Sequence, residues 1–401
     1  MLVNCKLSKR NKTIYFFYPG GEILTGQELA SRQILELLDG DGYSFVTHQI
    51  PTFERQNNRL TASILYICQV VTLWLKMLSL IFVSKLVVYV NLGQSYTALF
   101  REGLMLSFLR AVRPGIRIVI SLHGNYFTAW PQSIKKTLFN KILKRANIIT
   151  VLGESQKDCL RQWAIEEKNI RVTPNSAIIE PVNECDIKAK IRGKQRLQVL
   201  FLSNLMSAKG FTEYIEAIGI LSQRSDIPEF NAVLCGKFIK TELQSSLHGS
   251  KPIQQWLKDK LTEINSSPKI SLEWIEGAYG EEKKTLFRNS DIFVFPSRYK
   301  IEAQPIVILE AMASGCVILT SNVGLICETV SDCGIIINST EPGEIAHQLE
   351  LLLCNRTKCE KLALAGLKRY SDMFNKYQYR NNWDMIFKEL TDEHEKTRLA
   401  N

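Results

Sequence analysis

Two carboxylates eight residues apart, Glu302 and Glu310, are the side chains of this sequence best suited to bind a ligand rich in hydroxyl groups. Ionised carboxylates only accept hydrogen bonds, and sugar hydroxyls donate them. Close to a helix N-terminus, where anions bind, the same two acids would repel a diphosphate. The pair therefore indicates contacts to sugar hydroxyls, although two acids on the solvent face of an amphipathic helix would have the same spacing.

The elements that must position this pair form a strand–loop–helix–strand unit. The apolar run Ile292–Phe295 predicts a buried parallel strand. A polar loop follows, and Pro305 suits the first turn of a helix over Ile306–Ser314. The run Cys316–Leu319 predicts a second buried strand. The first of the two acids therefore falls in the loop and the second in the helix.

This unit resembles the signature of family-4 glycosyltransferases, which are retaining enzymes of the GT-B fold. The residues that match are Pro296-Ser297, Glu302, Glu310-Ala311 and Ser314-Gly315. The resemblance implies an α/β chain of two Rossmann-like domains facing each other across a cleft, with the C-terminal helix crossing back to the first domain. Gln304-Pro305 stands where the family has an aromatic–glycine pair, so the sugar donor is left open.

The resemblance also implies a reaction. The chain would move a sugar from a nucleoside-diphosphate sugar to a glycan or a lipid-linked saccharide in cell-surface polysaccharide biosynthesis. It would do so with retention at the anomeric carbon and with neither a metal nor another cofactor. The alternative is a protein of the same fold that binds nucleotides or glycans without catalysis. Asn204, at a position where the family has an arginine, favours this alternative.

Roles for other residues follow from the resemblance. Lys209-Gly210 matches the end of the family's Gly-Arg-x4-Lys-Gly pattern, so Lys209 would hold the diphosphate, and Arg298 could replace the missing charge. His123 ends a predicted parallel strand, where ligands bind in open sheets, although a lone histidine is often structural. The catalytic residues expected are His123, Lys209 and Glu302. The donor-binding residues expected are Gly21, Gly26, Ser203, Asn204, Gly236, Gly277, Arg298, Pro305, Ile306, Val307 and Glu310.

The length of 401 residues predicts two domains of roughly 150–200 residues each. Residues 1–185, together with a C-terminal helix over about 375–401, are predicted to form the acceptor-binding domain. Residues 195–374 are predicted to form the nucleotide-sugar domain. The polar stretch 181–196 shows no apolar periodicity and is interpreted as the linker between them.

Charge is distributed unevenly along the chain. Residues 1–194 hold 26 Lys and Arg against 14 Asp and Glu, a net charge of +12, whereas the remainder holds 24 against 26, a net charge of −2. A basic first half indicates an acidic partner, such as an anionic membrane surface or a lipid diphosphate, unless the charge only solvates the surface. Nucleic acid is not expected, because no recognition motif accompanies the charge.

The apolar run from Ile64 to Val83 is long enough to span a bilayer. Lys76 near its centre would oppose insertion by about 2.5–3.5 kcal/mol. A predicted strand over Leu86–Val90 follows at once and favours a helix that is buried or partly exposed in a soluble domain. A helix lying in the membrane interface and a true span remain alternatives.

Composition bears on the compartment. The ten cysteines form no Cys-x-x-Cys pair and have no histidine at zinc spacing, so we expect reduced core cysteines and no metal site. The polar N-terminus lacks the apolar core of a signal peptide. We therefore expect a cytoplasmic protein, with peripheral attachment to the inner face of the plasma membrane as the option that the basic charge supports.

Overall fold

The chain folds into two compact α/β units. The computed structural model describes residues 12–20, 25–52, 59–83, 86–239, 247–248 and 251–399. The first unit comprises Met1–Asn175 and Tyr377–Asn401, and the second comprises Ser176–Lys376. The first unit thus ends before residue 185, where the sequence analysis ended the first domain.

The first unit is built on a parallel sheet. Among the described residues its six strands lie in the order β2-β1-β3-β4-β5-β6, and all the pairings are parallel. The strands are β1 (Lys12–Gly20), β2 (Tyr43–Pro51), β3 (Val87–Asn91), β4 (Arg117–Ser121), β5 (Ile148–Val151) and β6 (Ile170–Val172). The helices are α1 (Gly26–Leu38), α2 (Arg59–Ser79), α3 (Tyr96–Ala98), α4 (Leu104–Val112), α5 (Ile134–Leu143) and α6 (Glu154–Gln162). A π-helical turn, Leu99–Gly103, joins α3 to α4.

The second unit contains another parallel sheet. In the part of the chain that the structure describes, its strand order is β11-β8-β7-β12-β13-β14, beside a short antiparallel ladder of β9 and β10. The strands are β7 (Leu197–Leu202), β8 (Phe230–Cys235), β9 (Leu247–His248), β10 (Lys251–Pro252), β11 (Ile270–Ile275), β12 (Ile292–Phe295), β13 (Val317–Ser321) and β14 (Gly334–Ile337). The helices are α7 (Glu184–Gly193), α8 (Phe211–Ser222), α9 (Ile253–Ile264), α10 (Gly280–Asn289), α11 (Ile306–Ala313), α12 (Ile326–Val330), α13 (Pro342–Leu353) and α14 (Arg356–Met373).

The C-terminal helix α15 (Lys376–Leu399) belongs to the first unit. Its apolar side chains share a core with strands β1, β2 and β3. Trp383 packs edge-on against Tyr89 with ring centroids 5.5 Å apart, and Phe387 lies 5.7 Å from Tyr43. The hydroxyl of Tyr379 donates to the carbonyl of Ala30 at 2.9 Å. The predicted return of the last helix to the first domain is confirmed in this respect.

Each sheet has one point at which the strand order reverses. In the first unit the chain starts at β1 and moves outward on both sides, and in the second unit it does so from β7. Ligands of open α/β sheets bind outside the carboxyl ends of the strands at such a point. In the second unit a ligand site is therefore expected at the loops that follow β7 and β12.

The interpretation of residues 181–196 as a linker is wrong. This stretch contains α7, which is part of the second unit and begins with a capping box between Asn183 and Asp186. Ile187 and Ile191 are fully buried in the core of that unit. The packing is so close that a Cβ atom on Gly315 would come within 2.4 Å of Cγ1 of Ile187. Two isoleucines four residues apart thus anchor a helix that is otherwise polar.

The apolar run of the first half is a helix that is buried on one side only. Helix α2 continues into a 3-10 turn, Leu80–Phe82. The segment Leu60–Phe82 is long and apolar enough to cross a membrane by length and composition. Leu73 and Met77 pack into the core of the first unit. The large apolar residues left exposed on this segment are Leu60, Ile64, Leu65, Ile67, Val71, Leu75 and Phe82.

Candidate active site

The loops after β7 and β12 touch each other. The two strands are paired in parallel, so their carboxyl ends lie at the same edge of the sheet. Gly210 has a left-handed φ of 82°, and a Cβ atom there would come within 2.3 Å of the carbonyl oxygen of Pro296. The backbone N–H of Arg298 donates to the carbonyl of Ala208 at 2.7 Å. Only glycine at position 210 allows this close approach.

Lys209 and Glu302 lie together at this junction. Nζ of Lys209 is 3.1 Å from Oε2 of Glu302, and both side chains are largely buried. Ser297 Oγ lies 3.4 Å from the same carboxylate. The ammonium group also lies over the rings of Phe295 and Tyr299, at 5.7 and 5.4 Å from their centroids. Two residues that the sequence analysis assigned to catalysis are thus in direct contact, beside two aromatic rings.

Arg298 is the second cation beside this loop. Its guanidinium pairs with Glu213 near the start of α8 and lies 3.5 Å from the carbonyl oxygen of Ser207. Arg298 is therefore close to the Lys209 loop, as the sequence analysis expected, but it is held by an acid that the sequence analysis did not identify. Asn204 is exposed, and the N–H of Ser203 donates to Cys235 in the sheet.

Glu310 is buried and carries its own cation. Its side chain is 1% exposed, and Nζ of Lys283 lies 2.7 Å from Oε1 and 2.6 Å from Oε2. Burial raises the pKa of Glu310 above its usual range, and the ammonium group of Lys283 opposes this rise. Lys283 comes from α10, and the sequence analysis missed it. The ion pair favours the charged form of a carboxylate that stands in an otherwise apolar helix.

The first turn of α11 can accept an anion. Pro305 caps the helix in an extended conformation, no side chain caps its free N–H groups, and the first turn contains no acid. Ile306 and Val307 therefore present N–H donors at the positive end of the helix dipole. The amide of Gln304 donates instead to the hydroxyl of Thr329 in the interior at 3.2 Å. Gln304 thus helps to anchor the loop.

Gly236 and Gly277, two of the glycines expected to bind the donor, shape their turns. A Cβ atom on Gly236 would come within 1.9 Å of the carbonyl oxygen of Ser203, so this position tolerates no side chain. Gly277 has a φ of 89°, and its N–H donates to the carbonyl of Ile275 at 2.7 Å. Gly236 thus lets the loop after β8 approach the loop after β7, and the backbone N–H of Gly277 is already used within its own turn.

In the first unit, His123 lies just beyond the carboxyl end of β4. It is buried, and its Nε2 lies 3.1 Å from the hydroxyl of Ser121, which in turn accepts a hydrogen bond from Thr150. Burial lowers the pKa of His123 to about 4, so the ring is neutral at pH 7. Its Nδ1 atom has no partner among the described residues. Gly26 is the first residue of α1, and Gly21 lies outside the described residues.

A search of the described residues for three or more neighbouring His, Cys, Asp or Glu side chains that could hold a metal ion finds none. Lys209, Arg298 and the start of α11 are suited to bind anions. The acids Glu302 and Glu310 can accept hydrogen bonds from hydroxyl groups once a ligand replaces their lysine partners.

Comparisons with known proteins agree with this architecture. Residues 183–369 match the family of glycosyl transferases group 1. Sucrose-phosphate synthase from Thermosynechococcus elongatus superposes with a TM-score of 0.70 at 17% identity, covering 96% of this chain and all of that one. Anabaena HepE in complex with UDP and glucose superposes with a TM-score of 0.66 at 17% identity, covering 94% of this chain and all of HepE. At this identity the two structures establish the fold alone.

A curated relative is similar at the level of sequence. It is the UDP-Gal:alpha-D-GlcNAc-diphosphoundecaprenol alpha-1,3-galactosyltransferase of Escherichia coli, 24% identical over 269 residues. The match covers 64% of this chain and 65% of the relative's length, so it spans less than two thirds of either protein.

The fold of the chain is thus GT-B, the fold of the two solved structures. The residues that match glycosyl transferases group 1 lie in the second unit and make up less than half of the chain. The α/β fold class predicted from the sequence is confirmed.

Proposed function

We propose that the chain transfers a sugar from a uridine-diphosphate sugar to a saccharide carried on a lipid diphosphate, with retention at the anomeric carbon and without a metal ion. The contact between Lys209 and Glu302 at the strand-order reversal of the second unit carries this proposal, because it joins a cation for the diphosphate to an acceptor for sugar hydroxyls. The UDP complex of HepE and the lipid-linked substrate in the name of the bacterial relative support this choice of donor and acceptor.

The reaction needs little more than charge and orientation. The bond between the anomeric carbon and the diphosphate oxygen breaks, and a bond from the acceptor hydroxyl oxygen to that carbon forms on the same face. The hydroxyl proton passes to the departing diphosphate, so no separate base is required. Lys209 and the N–H groups of Ile306 and Val307 stabilise the negative charge that grows on the diphosphate. Positioning of both substrates supplies the rest of the rate.

When the sugar nucleotide binds, each acid is proposed to lose its contact with lysine and to accept a hydrogen bond from a hydroxyl group of that ligand. Glu302 would accept from the transferred sugar while Lys209 turns to the diphosphate, and Glu310 would accept from the ribose. In the absence of a donor the two lysines hold these carboxylates in place. In the first unit, Nδ1 of the neutral His123 has no partner among the described residues and would form a hydrogen bond with a sugar hydroxyl.

A transfer assay with defined substrates tests the proposal. The chain is incubated with UDP-galactose, UDP-glucose, GDP-mannose or ADP-glucose and a synthetic N-acetylglucosaminyl diphosphate lipid, with and without EDTA. We expect one UDP-sugar to give a disaccharide lipid whose new linkage has the anomeric configuration of the donor by NMR, with equal yield in EDTA. If the chain binds UDP measurably but neither transfers nor slowly hydrolyses any donor, the non-catalytic alternative would be established.

A membrane surface would bring this acceptor to the first unit, and we propose that the unit docks on anionic lipid. The sequence from Arg55 to Gly153 contains thirteen Lys and Arg residues and one acid, Glu102, which is buried. Helix α2 is joined to the π-helical turn before α4 by a hydrogen bond from Trp74 Nε1 to the carbonyl of Arg101 at 2.9 Å. Beside the exposed apolar residues of α2, the neighbouring segment exposes Phe100, Leu104, Phe108 and Val112. An apolar surface with basic surroundings is typical of an interfacial contact.

Sedimentation with liposomes tests the docking. Each cation near an anionic surface contributes about 1 kcal/mol, so reversing both Lys144 and Arg145 to Glu should weaken binding by about tenfold or more. The matched control reverses Lys258 and Lys361, two exposed lysines of the second unit, and should leave binding unchanged. Binding should fall between low and high salt. Equal sedimentation with neutral and anionic liposomes, or equal losses in the two double variants, would contradict electrostatic docking by this face.

A further inference from the structure

A cavity of about 470 Å³ lies in the first unit between helix α2 and the carboxyl ends of β1 and β2. Gly20, the last residue of β1, and Ile50, near the end of β2, form part of its wall. The side of α2 that faces it presents Gln69, Thr72 and Lys76 at helical spacing. This volume falls in the range of sites for small molecules. None of the residues that line the cavity has a role in the reaction proposed above.

The cavity is suited to an anion. No Asp or Glu belongs to the described residues that line it, whereas Lys76 does and is exposed at its edge. The pKa of His48 on β2 is lowered mainly by burial and, to a smaller extent, by the positive charge of Lys76. Arg101 donates to the carbonyl of Pro51 and, at 2.9 Å, to the hydroxyl of Tyr66. Both of these acceptors line the cavity, so Arg101 fixes its wall from behind.

The same cavity is continuous with an apolar surface. Leu65 lines it and is 48% exposed, which places this side chain at the boundary between the cavity and solvent. On the same helix, Ile64 and Val71 are also about half exposed. A ligand with a charged head and a hydrocarbon chain would match both parts at once, because the head needs the cation and the chain needs the apolar face of α2.

We propose that this cavity binds the diphosphate headgroup of the lipid-linked acceptor, with Lys76 contacting the phosphates and the hydrocarbon chain leaving along the exposed apolar face of α2. The inference rests on the proposed function, since it assigns that acceptor its site. The saccharide would then extend along the carboxyl edge of the sheet towards His123. The end of β4 lies three strands from β2, which is roughly 14 Å at the usual strand spacing.

Binding of a soluble lipid diphosphate to the full chain tests the site without vesicles and without a donor. Farnesyl diphosphate, farnesol and inorganic pyrophosphate are titrated separately in a calorimeter, below the concentration at which the lipid forms micelles. We expect farnesyl diphosphate to bind at least tenfold more tightly than either fragment. Lys76→Glu should weaken it tenfold or more. Lys141→Glu, the same change of charge at an exposed position of α5, should leave it unaltered.

A second variant tests the cavity itself. Thr72→Trp fills it from an exposed helical position, whose hydroxyl bonds only within the helix in the structure, and should abolish binding of farnesyl diphosphate. Unaltered UDP affinity and an unaltered thermal midpoint would establish that both variants fold. Equal losses in Lys76→Glu and Lys141→Glu, or pyrophosphate binding as tight as farnesyl diphosphate, would overturn the inference. Tight probe binding without any sugar transfer would overturn the proposed function and leave this site in place.

Discussion

Replacing Lys283 by methionine should destabilise the second unit through Glu310. The carboxylate is 1% exposed, and both of its oxygens lie within 2.7 Å of the lysine that the substitution removes. Breaking a buried ion pair from one side typically costs about 3–5 kcal/mol. Here the loss has a ceiling, because the carboxyl group can take up a proton instead. From an unfolded pKa of 4.5, protonation at pH 7 costs about 3.4 kcal/mol. We therefore expect a loss of about 3 kcal/mol at pH 7.

The pH dependence gives this loss a signature. Without Lys283 the folded pKa of Glu310 rises further, so the folded state binds more protons than the unfolded state above pH 4.5. Stability then falls as the pH rises through this window. The penalty of the Lys283→Met variant should accordingly shrink by about 1.4 kcal/mol for each unit from pH 7 towards pH 5.

Three companion variants complete the experiment. Glu310→Gln leaves a lysine that is 19% exposed and can reach water, so its loss should be only about 1 kcal/mol. The double variant Lys283→Met/Glu310→Gln should lose about 2 kcal/mol less stability than the two single losses added together. Lys284→Met, on the same helix, removes an exposed pair with Glu281 and should change stability by less than about 1 kcal/mol.

Urea unfolding measures these changes, with the transitions of the two units fitted separately and the series repeated at pH 5, 6 and 7. Equal losses for Lys283→Met and Lys284→Met would refute the reasoning. So would a Lys283→Met penalty that does not vary with pH, since it would place the cost in packing and not in the charge of Glu310.

The remaining predictions concern catalysis and pH. Lys209→Ala should depress kcat strongly at saturating donor, because the lysine meets charge that develops as the diphosphate leaves; a rise in KM alone would make it a ground-state contact. Glu310→Gln should weaken UDP-sugar binding by about tenfold or more in calorimetry if the carboxylate accepts from the ribose. His123→Gln should flatten the rise in stability of the first unit from pH 4 to pH 6.5, because a buried histidine with a pKa of about 4 binds its proton only after unfolding. Urea unfolding at both pH values measures this, and an unchanged slope would show that His123 does not titrate there.

Much of the scaffold could be predicted from the sequence, because apolar runs that are buried on both faces of a parallel sheet leave a clear pattern. The strand predicted over Ile292–Phe295 has these bounds in the structure, and the helix predicted over Ile306–Ser314 ends at Ala313, with Ser314 as its cap. Lys209 and Glu302 could also be selected as candidates, since each stands in a motif next to such a strand. Their distance of 3.1 Å was not, because it depends on the pairing of β7 with β12.

The features that could not be predicted from the sequence depend on contacts that leave no local pattern in it. Lys283 stands among other charged residues on its helix, and Glu213 stands in the first turn of α8, where an acid is ordinary. Nothing in the local sequence separates either partner of an ion pair from a solvated side chain. Helix α7 was overlooked because two buried isoleucines are too few to produce a visible period among lysines and acids. The cavity beside α2 could not be anticipated, since its walls come from strand ends and from a helix that is apolar nearly all round.

Helix α15 makes the first unit discontinuous, and this affects how the chain can be made. During synthesis Phe16, Tyr43 and Tyr89 emerge early, whereas Trp383 and Phe387, which pack with them, emerge more than 290 residues later. The second unit is continuous from Ser176 to Lys376, so all of its residues leave the ribosome before this helix does. One aromatic face of the first sheet is therefore exposed while the rest of the protein is translated. We expect a chaperone to bind this exposed face.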